Sequence, residues 1–410
     1  MFAVKTILSD DARRERFPLG AQVRLADLDT DPYPILARLR REEPVTWVPE
    51  TQMWFLTRRA EIVDVLRDAQ RFTTEAERST IRDIFGDHMM TTDGEVALRY
   101  KRSCLHAFRA ETLLREMAPW THQKARTLVD AAIEASEPSS ARVVELMDDV
   151  ATPLAVESAL RVLGLPSDMS ERIALWYDDF ALALANFSGD PAVRARGKAA
   201  ASAFREAVLP QIAAARPDEQ GLLAELAHME KDRLDDDEIV SNALIILFGG
   251  IETTASMIGN TVWSLLATGT WRGFESEPDT KHALMEEALR WQPAVQSITR
   301  HTTEAVEILG VTIPAGEVVQ SMIGAANRDD AHFDAPDSFD PARVNAADHL
   351  SFGTGRHLCL GTHLARIEIG AVLDALRERA PSLSFADAEA PDLRGYEFRR
   401  PLGLRLRLGG

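Results

Sequence analysis

The chain has only two cysteines in 410 residues, Cys104 and Cys359. At most one disulfide can form, so a disulfide-stapled secreted scaffold is excluded and a reducing cytoplasm is expected. Positive charge is also scarce, with 46 Lys and Arg against 64 Asp and Glu and a formal net charge of −18. Nucleic acid and anionic membrane both call for clustered cations, and neither is expected as a partner. Met1 to Leu8 runs into Ser9-Asp10-Asp11 without an apolar stretch long enough for a signal peptide or membrane anchor, so neither is expected. No Pro/Gly/Ser-rich linker and no repeat period interrupts the chain, although length alone suggests two or three domains. What is present, 45% hydrophobic and 27% charged residues, suits an ordinary globular protein with a large core.

The clearest chemical signal lies in Phe352-Gly353-Thr354-Gly355-Arg356-His357-Leu358-Cys359-Leu360-Gly361. Two glycines and a threonine precede Cys359, and Leu364 to Ile369 follow with helical composition, so the stretch reads as a loop feeding a helix. Cys359 is expected just before or inside the first turn. Free backbone N–H groups and the helix dipole there favour a thiolate, the form that binds metal, and a soft anionic sulfur suits iron. A lone cysteine is more often buried and inert.

A second signal lies upstream. Asp235 and Glu238 are spaced as a capping box, and from Val240 to Trp271 the only charged residue is Glu252. A helix of about 30 residues spans roughly 45 Å, enough to cross the protein. Glu252 is expected to be buried along it, which requires partners or a shifted pKa. Gly249 and Gly250 each cost about 1 kcal/mol relative to alanine in a helix interior, and their missing side chains make room for something flat and large. Thr253 and Thr254 can bond back to the preceding turn and distort the helix. Further on, Glu287 and Arg290 are three apart and share one helix face, where they can pair.

In this order the stretches resemble the cytochromes P450: an acid–alcohol run at 249–254, E-x-x-R at Glu287 to Arg290, F-D-x-x-R at Phe339 to Arg343, and F-G-x-G-x-H-x-C-x-G at 352–361. The resemblance implies a mainly α fold with small β-sheets and one domain over 1–410. It implies haem b (iron protoporphyrin IX), with Cys359 as the axial thiolate ligand of the iron, Phe352 and Gly353 in the loop beside it, and Gly249 on the other side. His357, Arg300 and Lys101 match propionate contacts. The family often has a histidine and, four residues later, an arginine where Ala97 and Lys101 stand, so one propionate contact is expected to be lost and the other weakened to a point charge. Glu252 matches the acid linked to solvent, and Thr253 the alcohol that holds proton-donating water where dioxygen is activated. Glu287, Arg290 and Arg343 match a structural network rather than catalysts.

The implied activity is insertion of one oxygen atom from O2 into a small apolar organic substrate by a cytoplasmic monomer. Electrons would come from a separate ferredoxin or flavodoxin with its reductase, since no flavin or iron–sulfur sequence is fused to the chain. A peroxide-driven enzyme and a non-enzymatic haem-thiolate sensor remain alternatives. The substrate pocket is expected to draw on Phe85, Met89, Phe180, Ile245, Ala294, Val295, Ile298 and Phe398.

Periodicity supplies the remaining elements. Helices are expected over Tyr33–Glu42 and Arg59–Asp68, with strands at Val45–Val48 and Met53–Thr57 between them. Residues 72–90 lose periodicity and read as a lid. A basic helix from Glu95 to Phe108, with Arg99, Lys101 and Arg102, reads as either a solvated face or a docking patch for an acidic partner. Leu113 to Ala215 reads as almost wholly helical, with a loop at Ser188 to Pro191. Strands are expected at 306–308, 311–313 and 318–323, and a last hairpin at 396–403.

Overall fold

The computed structural model describes residues 9–409 except 77–78, 137–141, 187–188 and 274–276. Residues 1–8, on which the expectation of no leader rests, and Ser188 of the expected loop lie outside the described residues.

Apolar spacing and start signals build the first elements. Leu36 and Leu39 bury one side of α1 (Tyr33–Glu42), which carries Pro34 in its first turn. β1 (Val45–Val48) and β2 (Met53–Leu56) pair as an antiparallel hairpin with Val45 opposite Leu56. α2 (Arg59–Arg67) follows. The aperiodic stretch holds β3 (Phe72–Thr73) and α3 (Thr80–Phe85), the latter capped by the Ser79 hydroxyl. α4 is Gly94–Cys104, shorter than expected because the chain turns at Leu105 to Arg109.

The region expected to be almost wholly helical contains α5 (Ala118–Ala135), α6 (Thr152–Leu163), α7 (Ser170–Leu184) and α8 (Pro191–Ala214), with one short strand, β4 (Arg142–Glu145). The β-branched pair Val143-Val144 is drawn out of helix by a partner far away in sequence, since Val144 lies opposite Leu406 of the C-terminal strand. α9 (Asp236–Ala267) opens with the Asp235–Glu238 capping box and ends before Gly269, whose φ of +71° stops it short of Trp271. α10 is Pro278–Trp291.

β5 (Ser297–Thr302), β6 (Val306–Ile308), β7 (Val311–Ile313) and β8 (Val318–Met322) follow. The principal sheet has the order β1-β2-β8-β5-β3, antiparallel except where β2 meets β8. After α11 (Thr362–Arg379) come β9 (Ser382–Phe385), β10 (Leu393–Arg394), β11 (Arg400–Pro401) and β12 (Arg405–Gly409). β12 joins β4 to β9, and β10 pairs with β11. The expected hairpin at 396–403 is thus the turn and second strand of a pairing that starts at Leu393.

α9 is the axis of the helical part and packs against α6, α8, α10, α11 and β11. Its length and hydropathy would suffice to cross a membrane, but two thirds of its most apolar window is buried inside the protein, as in a core helix. On one side α3, α7 and α8 share an apolar cluster with its N-terminal half; on the other α5, α10 and α11 pack its C-terminal half.

Candidate functional site

Two backbone segments define the site. The first is the loop before α11. Gly355 has φ +76°, and a Cβ there would lie 2.5 Å from the Leu66 carbonyl oxygen of α2, so only glycine lets the loop seat on that helix. Gly353 is also left-handed, at +69°. The loop closes on itself where the Cys359 N–H donates to the Phe352 carbonyl at 2.9 Å. The Phe352 ring packs under the Arg366 guanidinium.

Cys359 sits three residues before α11, whose N-cap is Gly361. Its side chain is accessible yet surrounded by protein, so the surface it exposes faces inward. Burial pushes the thiol up, opposed by the Gly361 N–H, Lys101 and Arg366. Burial thus works against the thiolate that the helix end is expected to favour, while the Gly361 N–H and the two cations work for it.

The second segment is the middle of α9. Gly249 is exposed although its neighbours Leu247, Phe248 and Ile251 are buried, and a Cβ on it would meet nothing within 4 Å. The Thr253 hydroxyl donates to the Gly249 carbonyl at 2.5 Å, and the helix continues unbroken through it, without the expected distortion. Thr254 faces the opposite way, buried against the Glu368 carboxyl of α11. Glu252 is not isolated. Arg400 Nε lies 3.1 Å from Oε1, the Ser256 hydroxyl donates to Oε1 at 3.3 Å, and the Tyr177 hydroxyl donates to Oε2 at 3.4 Å. A partnered carboxylate removes the difficulty of a bare buried charge.

The three expected propionate contacts diverge. Lys101 Nζ donates to the carbonyls of Arg356 (3.0 Å) and Leu358 (2.8 Å), so it clamps the cysteine loop. His357 Nε2 lies 2.9 Å from Asp93, whose carboxyl is held well below the ordinary range despite burial by hydrogen bonds from His357, Thr73 and the Thr74 N–H. Arg300 is 6% exposed and donates to the carbonyl of Thr299; among the described residues no carboxylate is within ion-pair reach. Burial pulls this guanidinium down to about 10, with Asp93 opposing. A buried cation without a counter-ion, a cysteine on a glycine loop and a bare helix face fit a large planar cofactor with acidic side groups.

Of the expected pocket residues, Phe85 meets Phe180 edge-on at 5.1 Å and Phe248 at 5.7 Å, and Phe398 meets Phe248 at 6.3 Å. Met89 and Ile245 belong to the same cluster. Val295 bridges to Phe398. Ile298 lies against Gly353. Ala294 does not join them: it is buried in the other cluster, where its N–H contacts Met257 Sδ. Phe248 and Tyr177, stacked at 5.5 Å, belong to the same cluster. Phe248 was findable, since it lies four residues before Glu252 on the same helix face. Arg400 was not, because only the folded chain brings it there.

The basic helix α4 is also not a free patch. Arg99 pairs with Glu238, and Arg102 with Asp232 and Glu95.

Glu287 and Arg290 pair through two contacts of 2.7 Å, both side chains fully buried, and Arg343 Nε lies 3.2 Å from Glu287. Arg290 also donates to the carbonyl of Asn327, whose side chain accepts from the Leu350 N–H and donates to the Ser351 hydroxyl. The network ends at the start of the cysteine loop.

A family profile described as cytochrome P450 matches residues 281–378. Cytochrome P450 107B1 of Saccharopolyspora erythraea is 31% identical over 377 residues, covering 86% of this chain and 89% of that protein. The chain belongs to the cytochrome P450 family. Nocardicin C N-oxygenase of Nocardia uniformis subsp. tsuyamanensis is 32% identical over 406 residues, 95% of this P450 and 97% of that one. The crystal structure of CalO2 superposes with a TM-score of 0.83 at 30% identity, covering 94% and 98% of the two chains. The fold expectation, mainly helical with small sheets, therefore holds. This P450 binds haem b and is a monooxygenase of small organic substrates supplied with electrons by a redox partner.

Proposed function

We propose that Cys359 would hold the haem iron through its thiolate and that Glu252 and Thr253 would carry protons to the reaction centre. The substrate is an apolar molecule held among Phe85, Phe180, Phe248 and Phe398. When bound, haem b would supply the iron chemistry that activates O2, and the Cys359 thiolate would donate electron density to that iron. Overall, one oxygen atom enters the substrate and the other leaves as water, consuming two electrons and two protons. Arg300 neutralises one propionate, while Lys101 and Arg366 balance the thiolate from the loop side. Glu287, Arg290 and Arg343 brace the loop. The observation that carries the reading is the pairing of a glycine-seated cysteine loop with a helix face stripped of side chains at Gly249 and hydroxylated at Thr253.

We further propose a single-domain, soluble, cytoplasmic monomer that receives its electrons from a ferredoxin or flavodoxin with its reductase. Because Arg99 and Arg102 are already paired, docking would rest on other groups of the cysteine-loop side.

The test is the reduced carbon monoxide spectrum of the wild type and of Cys359→Ser. A strongly red-shifted Soret band in the wild type and its loss in a variant that still retains haem are expected. The same band in both would reject Cys359 as ligand. Titrating the ferric wild type with a compound library then identifies ligands by their spin-state change; retained haem with no such response would favour a sensor.

A further inference from the structure

Glu252 is gripped from outside its own helix by two elements far apart in sequence. Arg400 reaches it from β11, the strand that returns beside β10. α9 carries glycine at 259 beside that strand, where a Cβ would lie 2.5 Å from Met147 Sδ and 3.1 Å from Pro401 Cγ. Tyr177 reaches it from α7, its ring stacked on Phe248. The carboxylate side chain is 18% exposed and the arginine 34%, so the pair is partly screened rather than dry.

An ion pair at this depth adds little to global stability. Its effect is geometric. Glu252 adjoins Thr253, whose hydroxyl is turned to Gly249, and an unheld glutamate side chain has several staggered rotamers open to it. A guanidinium carried on a paired strand, together with the Ser256 and Tyr177 hydroxyls, narrows the positions open to the carboxylate.

We propose that Arg400 is a positioning residue for Glu252, setting the place from which that carboxylate exchanges protons with solvent and with the Thr253 side. The inference rests on the assignment of Glu252 above. The contribution of Arg400 in this role is the orientation of another group.

The experiment uses the haem-loaded enzyme, a surrogate ferredoxin and ferredoxin reductase, and a compound selected by its ferric spin-state change. Peroxide released per electron pair and the H2O/D2O rate ratio are measured for Arg400→Gln, Arg400→Lys, Glu252→Gln and the Arg400→Gln/Glu252→Gln double variant. Melting temperatures of the four ferric proteins supply a readout independent of turnover. Arg400→Gln is expected to raise the peroxide share and the isotope ratio about twofold or more, and Arg400→Lys to restore most of both. The double variant should resemble Glu252→Gln alone, in turnover and in melting temperature, because the two residues act as one unit. If Glu252→Gln raises both quantities and Arg400→Gln leaves them unchanged, the positioning role is overturned while Glu252 keeps its own. If Glu252→Gln changes neither, the acid assignment falls and the positioning role with it. A lower melting temperature of Arg400→Gln with an unchanged isotope ratio marks a structural residue and also overturns the proposal.

Discussion

At the residue scale, the environment sets the chemistry of each side chain more than its type does. Glu368 shows this most strongly. It is fully enclosed between α11, Ser158 and Thr254, and burial pushes its carboxyl up to about 8, with the two hydroxyls opposing. The folded protein therefore holds a proton that the unfolded chain releases near the ordinary glutamate value, so stability falls as pH rises from the unfolded pKa towards 8 and levels off above it. Glu368→Gln keeps the shape and removes the titration. Its melting temperature is expected to exceed that of the wild type increasingly from pH 5 to pH 8, by an amount worth on the order of a few kcal/mol, and to match it near pH 4. A constant offset across that range would show that Glu368 is already ionised in the folded state.

At the element scale, the cover over the aromatic cluster is a three-helix clasp. Asp83 of α3 accepts from Arg194 (2.6 Å) and Lys198 (2.7 Å) of α8, and Asp179 of α7 pairs with Arg196. The Arg194 hydrogen bond, with Lys198 adding to it and burial opposing, pulls the Asp83 carboxyl down to about 2. Gly197 sets the spacing, since a Cβ there would be 2.4 Å from the Ala183 Cβ of α7. Exposed pairs of this kind hardly alter global stability, but they act directly on the opening equilibrium of a cover. Asp83→Asn is expected to speed ligand association about threefold at low salt, with the difference vanishing in about 1 M salt, where screening already loosens the wild type. Stopped-flow recording of the spin-state change measures it; equal rates at low salt would show that α3 and α8 do not part on entry.

At the scale of the whole molecule, the Glu287–Arg290–Arg343 network links α10 to the segment that delivers Cys359. Both members of the central pair are fully buried, and the Asp340 N–H also donates to Glu287 at 2.7 Å. Glu287→Ala leaves two buried arginines without their acid, a loss of about 3–5 kcal/mol. Because Arg290 also holds Asn327 beside Leu350 and Ser351, haem retention is expected to fall together with the unfolding midpoint. The ratio of Soret to protein absorbance, followed through a denaturant titration, checks this; full haem occupancy at a lowered midpoint would separate folding from loop bracing.

Much of this architecture was legible from local patterns. The first hairpin, the capping box of α9 and the loop-to-helix passage at Cys359 depend on neighbours in sequence, and so does the Glu287–Arg290 spacing. What stayed hidden depends on long-range approach. Val143-Val144 became a strand because Leu406 lies beside it, Ala294 turned away from the aromatic cluster, and Lys101 and His357 found partners within the protein. Arg400 reached Glu252 from the far end of the sequence. The sequence by itself determined which residues could ligate, relay and pair, because those capacities belong to side-chain type and short spacing. Tertiary structure alone decided which charges meet, since burial and closure of distant segments set every partner's distance and the dielectric between them.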